Sequence, residues 1–157
     1  MTSPAPTAAS GPVVDDVVDD VVDVLQDALA AEHAVVYGYG VAGARLRGAA
    51  QDRARRLWTG HRARRDELAA MVIARDGTPQ PPAASYALPA PVRTATDART
   101  LLTLLEERLA ATWADAVADL DGDLRRYAGR GLADAAVTAA RWRGGSIPFP
   151  GLPERSA

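Results

Sequence analysis

The sequence predicts an all-α fold: one bundle of four helices, with a long crossover between the second and the third. Two observations predict it. Apolar residues recur at alternating spacings of four and three through four segments, the signature of helices with one buried stripe. A proline-rich stretch then divides those segments into two pairs. At 157 residues the chain fits a single domain with a core of its own, and 48% apolar against 24% charged residues is ordinary globular composition.

Residues 1–14 read as a disordered leader, residues 15–146 as the bundle and residues 147–157 as an extended tail packed on it. Helix 1 is expected over residues 15–47. Its opening, VVDDVVDDVVDV, repeats every four residues. Four exceeds the 3.6-residue turn, so the valine pairs drift by ~40° per repeat. Asp15, Asp16, Asp19 and Asp20 stand where negative charge suits the helix dipole. Val18, Val22, Leu25, Leu29, Glu32, Val36, Tyr39, Gly43 and Leu46 then form a bundle seam. Whether residues 13–24 belong to the bundle or to a dimer arm is open at this stage.

Helix 2 is expected over residues 49–75, with the seam Ala50, Ala54, Leu57, His61, Leu68, Met71 and Val72 and a stop at Asp76-Gly77. Residues 77–96, GTPQPPAASYALPAPVRTAT, carry five prolines and cannot be helical. Helix 2 is about 39 Å long at ~1.5 Å per residue, and twenty extended residues reach up to ~66 Å. The stretch can therefore return the chain along the whole bundle. Helix 3 is expected from a Thr96 cap, with Leu102, Leu105, Leu109, Trp113, Ala116 and Leu120 inward. Asp121-Gly122-Asp123 makes a tight turn. Helix 4 follows with Leu124, Ala128, Gly131, Ala135, Ala139 and Trp142 on one face and ends at Gly144-Gly145. Phe149 and Leu152 are expected to strap the tail onto the bundle.

Composition excludes several chemistries. There is no cysteine, which removes disulfides, thiolate catalysis and sulfur-ligated metals. All 18 basic residues are arginine, which removes Schiff-base lysines and the lysine of phosphate-binding loops. The five serines, Ser3, Ser10, Ser85, Ser146 and Ser156, lie in loops or termini with no histidine at a triad spacing. No apolar run approaches a membrane helix and the N-terminus lacks a secretory pattern, so the expected location is the cytoplasm. The net charge of −2 is unevenly spread: residues 1–40 carry −7 and residues 41–75 carry +6. An acidic helix followed by a basic one suggests mutual attraction.

Several segments, LQDALAAEHAVVYGYG, HRARRDEL, SYALP, RWRG and FPGLPE, resemble an uncharacterised ferritin-like domain family of high-GC bacteria, over roughly residues 22–155. The resemblance implies a ferritin-like bundle and a homodimer. It implies no activity.

Ferritin-like di-iron proteins carry a Glu on each of two helices and Glu-x-x-His on each of the other two. Glu32 and His61 lie in the seams of helices 1 and 2. Glu106 lies about 50° from the centre of helix 3's apolar face at 100° per residue. All three fall near mid-helix. The pattern then breaks: Trp58 stands three before His61, and helix 4 has no histidine and one outward acid, Asp134. One reading makes Glu32, His61 and Glu106 a buried hydrogen-bonded network, joined by Arg64 or Arg65. The other makes them ligands of one metal ion, Fe or Mn. His33 points about 100° from the seam and reads as a boundary residue.

Gly38-Tyr39-Gly40-Val41-Ala42-Gly43 spells G-x-G-x-x-G but lies inside a helix with no preceding strand, so close helix approach is its reading, not dinucleotide binding. Of the eight arginines between Arg45 and Arg65, Arg53, Arg56 and Arg64 fall on one side of the helix 2 stripe and Arg55, Arg62 and Arg65 on the other, which suits pairing with acidic helix 1 and other neighbours better than nucleic acid. Trp58, Trp113 and Trp142 read as core and Tyr86 as packed on the bundle. The functional reading is a non-catalytic scaffold or binding module with a degenerate metal site. The alternative is a metal-binding oxidoreductase or carrier. A third is a small-molecule binder, with a cavity left by the small residues of helix 4.

Overall fold

The computed structural model describes residues 13–144, with side chains from residue 20 onward. Four helices make up the fold: α1 (Val13–Gly43), α2 (Gly48–Ile73), α3 (Ala95–Asp119) and α4 (Gly122–Arg143). Among the described residues there is no strand, and no helix is long and apolar enough to cross a membrane. The expected tail contacts of Phe149 and Leu152, and residues 1–12 of the leader, lie outside the described residues; Val13 and Val14, expected in the leader, are instead the first residues of α1.

The helix 1 pattern becomes helix from Val13 onward, so the acidic repeat is continuous with the rest of α1. Val21, Val22 and Val24 already pack against the core. The helix stops at Gly43, earlier than the seam suggested. Leu46 is nevertheless fully buried, because the connecting turn tucks it under the helix ends. Arg47 is extended and Gly48 has φ +54°, a left-handed conformation that costs glycine little. At the far end of α2, Asp76 takes the positive φ. Gly77 donates to the Val72 carbonyl, where a Cβ would press on the Val72 backbone and on Val22.

The crossover, residues 74–94, runs the length of α1. Gln26 bonds to Thr78 and Gln80, the Tyr37 and Tyr86 rings lie 5.3 Å apart, and the Arg45 Nε–H donates to the Val92 carbonyl at 3.2 Å. His33 meets the Gln80 carbonyl at 3.1 Å and is half-buried, the boundary role its position suggests.

α3 begins one turn-residue pair earlier than the Thr96 cap predicted. Thr94 is the cap: its hydroxyl accepts from the Asp97 backbone N–H while the Asp97 carboxylate accepts from the Thr94 N–H. That reciprocal pair needs an acid three residues after the cap. Thr94 has Asp97 there, whereas Thr96 has Arg99. The backbone N–H groups of Thr94 and Arg93, both donating to the Asp97 carboxylate, hold that carboxyl below its usual range. α4 closes on Gly144 in the left-handed conformation.

α1 packs on α2 and α3, and α3 packs on α4. The fourth edge, α2 to α4, has no close backbone approach. Side chains alone span it: Tyr127 donates to Glu67 at 3.1 Å, Arg64 pairs with Asp134 at 2.8 Å, and the Arg53 guanidinium lies 5.5 Å from the Trp142 ring centre. These cross-links run in opposite residue order along the two helices, so α2 and α4 are antiparallel. The α3–α4 edge is tight because Gly131 has no side chain. A Cβ there would lie 2.6 Å from buried Trp113. Gly38 does the same for α1 on α3, where Leu105 occupies the space a Cβ would take. Gly40 and Gly43 face open space, so one glycine of the three in the G-x-G-x-x-G string serves close approach.

Candidate functional site, a buried polar chain beneath the α2–α4 cleft

Glu32, His61 and Glu106 meet inside the bundle. The carboxylates of Glu32 and Glu106 are fully buried, and His61 is 7% exposed. Mid-helix seam positions on α1, α2 and α3 bring the three side chains to one level. The imidazole lies between the acids, with Nδ1 2.8 Å from Glu32 Oε2 and Nε2 3.1 Å from Glu106 Oε1.

Two further residues complete the chain. Tyr39 lies two turns beyond Glu32 on the same α1 stripe, and its hydroxyl donates to Glu106 Oε1 at 2.5 Å. Trp142, from the last turn of α4, donates its indole N–H to the Tyr39 oxygen at 3.0 Å. The Tyr39 ring sits 5.1 Å from the His61 ring and 6.5 Å from Trp142.

This geometry decides the protonation state. A neutral imidazole has one N–H and serves one carboxylate; an imidazolium serves both. Burial alone favours the neutral ring. Hydrogen bonds to Glu106 and Glu32, and their negative charge, outweigh it and raise the His61 pKa from 6.5 to about 9. Burial, and then Glu106, push the Tyr39 hydroxyl well above its ordinary range, so it stays a donor. Each proton in the chain thus has an acceptor. Two oxygens are left over: Glu32 Oε1 and Glu106 Oε2 are buried with no hydrogen-bond partner.

Over His61 and Glu106 the unclosed α2–α4 edge opens as a cleft of about 420 Å³. Leu57 and Gly60 of α2 and Ala135 and Thr138 of α4 form its walls. The Arg64–Asp134 pair bounds one end. At the other, Arg56 and Arg141 flank the mouth beside Arg53. A volume of this size lies in the range of small-molecule sites.

A two-metal centre does not fit these residues. Trp58 occupies the position three before His61, and α4 sends the cluster an indole N–H, a donor that cannot bind a cation. Among the described residues no three His, Cys, Asp or Glu side chains are grouped so as to hold a metal ion. Glu32 and Glu106 address opposite edges of the imidazole, each occupying one ring nitrogen.

Two sequence expectations are corrected here. Neither Arg64 nor Arg65 joins the chain: Arg64 turns to Asp134 and Arg65 to its neighbour Asp66. Nor, among the described residues, do the arginines of α2 pair with the acids of α1; Arg53, Arg56 and Arg64 face α4 instead, and Arg62 lies over Trp58 at 4.6 Å. Asp134, read as pointing away, reaches across the cleft because the arginine length spans the gap. Tyr39 and Trp142 were legible as seam residues but not as polar partners. Their one available signal was that a buried Tyr or Trp needs a hydrogen-bond partner.

The model for the family described as "Domain of unknown function (DUF4439)" matches residues 24–154. A solved structure, a conserved hypothetical protein, rv2844, from Mycobacterium tuberculosis, is similar at 35% identity and a TM-score of 0.77, over 80% of this chain and 96% of that one. Among curated proteins none matches the chain. The match spans α1 from Val24 onward, the other three helices, the crossover and every residue of the polar chain, so this protein belongs to the DUF4439 domain family.

Proposed function

We propose that the chain is a metal-independent, non-catalytic binding module, a ferritin-like bundle whose former metal position is filled by protons and whose α2–α4 cleft receives a small molecule. The observation that carries this reading is the continuous chain Trp142 to Tyr39 to Glu106 to His61 to Glu32. Both ring nitrogens are committed to carboxylates, so the interior is held together without an ion. The cleft above it is lined by small α4 residues, which leave room that larger ones would fill. Nothing in the cluster presents an activated nucleophile: the single hydroxyl is a high-pKa phenol already donating to a carboxylate.

A second reading has its own support in the two orphaned oxygens, Glu32 Oε1 and Glu106 Oε2. In it, His61 Nε2 and Glu106 hold one Fe or Mn ion and Glu32 orients the ring from behind, a carboxylate–histidine–metal arrangement. Metal analysis separates the two. Protein incubated with Fe(II) and Mn(II), then desalted, should carry well below one ion per chain and unfold at the same temperature with and without chelator. One ion per chain, lost in His61→Ala, would replace the first reading by the second.

A further inference from the structure

We infer that the ligand of the α2–α4 cleft is a small anion, a carboxylate or a phosphate monoester, that also carries a hydroxyl or N–H donor directed at the cleft floor; this rests on the binding reading above and specifies its chemistry. Two independent features point to it. Arg56 of α2 and Arg141 of α4 line the same cleft from its two walls, and neither makes an ion pair or hydrogen bond among the described residues. Arg53 beside them engages only the Trp142 ring face, so its guanidinium edge is also available to an anion. Of the nearby acids, Asp134 is paired with Arg64 and Glu107 with Arg143, while Asp52, one turn before Arg56 on α2, forms no ion pair among the described residues. The mouth therefore gathers three arginines, Arg53, Arg56 and Arg141, none of them in an ion pair among the described residues, and guanidinium forks suit carboxylate and phosphate oxygens.

The floor asks for the opposite chemistry. Glu106 reaches the cleft, is fully buried, and keeps Oε2 without a donor. A buried acceptor left without a donor is unfavourable, and a hydroxyl or N–H on the ligand would satisfy it. His61 cannot, because both of its nitrogens already donate. Gly60 in the α2 wall leaves the entry clear: a Cβ built there meets nothing within 4 Å. That position supplies a plug that leaves the polar chain untouched.

The test titrates the full chain, at low ionic strength, with lactate, glycerol 3-phosphate and glycerol, following the Arg side-chain N–H signals and the melting temperature. Lactate or glycerol 3-phosphate should shift the Arg56 and Arg141 signals and raise the melting temperature, while neutral glycerol does neither. The two anions distinguish a carboxylate ligand from a phosphate one. Arg56→Gln with Arg141→Gln should weaken binding about tenfold or more, the scale of losing charge-assisted hydrogen bonds, and Gly60→Leu should abolish it with both arginines intact. Three results overturn the inference: no shift with either anion, equal binding by Gly60→Leu, or cross-peaks from Phe149 to Thr138 placing the chain's own tail in the cleft. Any of these can occur with metal-free protein, so they are separable from failure of the binding-module reading, which metal analysis decides.

Discussion

Raising the pH should destabilise this protein through His61. In the folded chain the imidazole sits between two fully buried carboxylates and its pKa is about 9, against 6.5 for a free histidine. Because the folded pKa is the higher one, the unfolded chain loses its proton first as pH rises. The stabilisation is thus complete below about pH 6.5 and is lost as pH climbs through 9. At roughly 1.4 kcal/mol per tenfold change in proton affinity, the full loss is about 3 kcal/mol. The slope should not exceed about 1.4 kcal/mol per pH unit for one proton. The chain has two histidines and no cysteine, so a His33→Gln background leaves His61 and the α-amino group as the groups that ordinarily titrate below about pH 9. Above it the tyrosines ionise in the unfolded chain, and buried Tyr39 and half-buried Tyr127 add a loss of their own, so the His61 effect is read below about pH 9. Urea unfolding monitored by helical circular dichroism between pH 6 and 10 gives the free energy directly. A fall of that size confirms the buried imidazolium. Stability that is flat or rising over pH 6.5–9 would refute it.

Other substitutions probe the scaffold. Tyr39→Phe leaves the Trp142 indole without an acceptor and Glu106 with one donor fewer, and should lower urea stability by about 2–3 kcal/mol. Gly131→Ala gains helix propensity but drives a methyl into Trp113. The net loss should be about 1–2 kcal/mol, visible in the thermal midpoint. Gly60→Ala meets open space and should instead stabilise by about 0.5–1 kcal/mol. Thr94→Ala removes half of the reciprocal cap and should cost about 1 kcal/mol, with amide exchange accelerated in the first turn of α3.

The buried stripes were legible because a helix repeats its face every 3.6 residues. Leu25, Leu29, Glu32 and Tyr39 of α1, and Leu102, Leu109 and Trp113 of α3, are all buried as their spacing requires. The same periodicity placed Glu32, His61 and Glu106 at one level. It gives directions from one helix axis and says nothing about the distance between two axes. The open α2–α4 edge was therefore invisible, and with it the partners of Arg64 and Asp134, whose lengths matter only once the gap is known. Helix ends were missed for a local reason: Thr94 and Thr96 are equivalent as single residues, and only the spacing to Asp97 distinguishes them. Val36 marks the limit of the pattern in the other direction. The spacing puts it in the α1 seam, yet Val35 is the buried residue and Val36 is half-buried, because the stripe drifts as the helix winds.

A doubly protonated imidazole, in place of an ion, is what the geometry of His61 between Glu32 and Glu106 calls for. Nitrogen-15 spectra of the histidine rings across pH 6 to 10 test it most directly. The His61 ring should show both nitrogens protonated at neutral pH and release a proton only near pH 9. An unprotonated nitrogen at neutral pH, or one whose signal moves on adding Fe(II) or Mn(II), would contradict it.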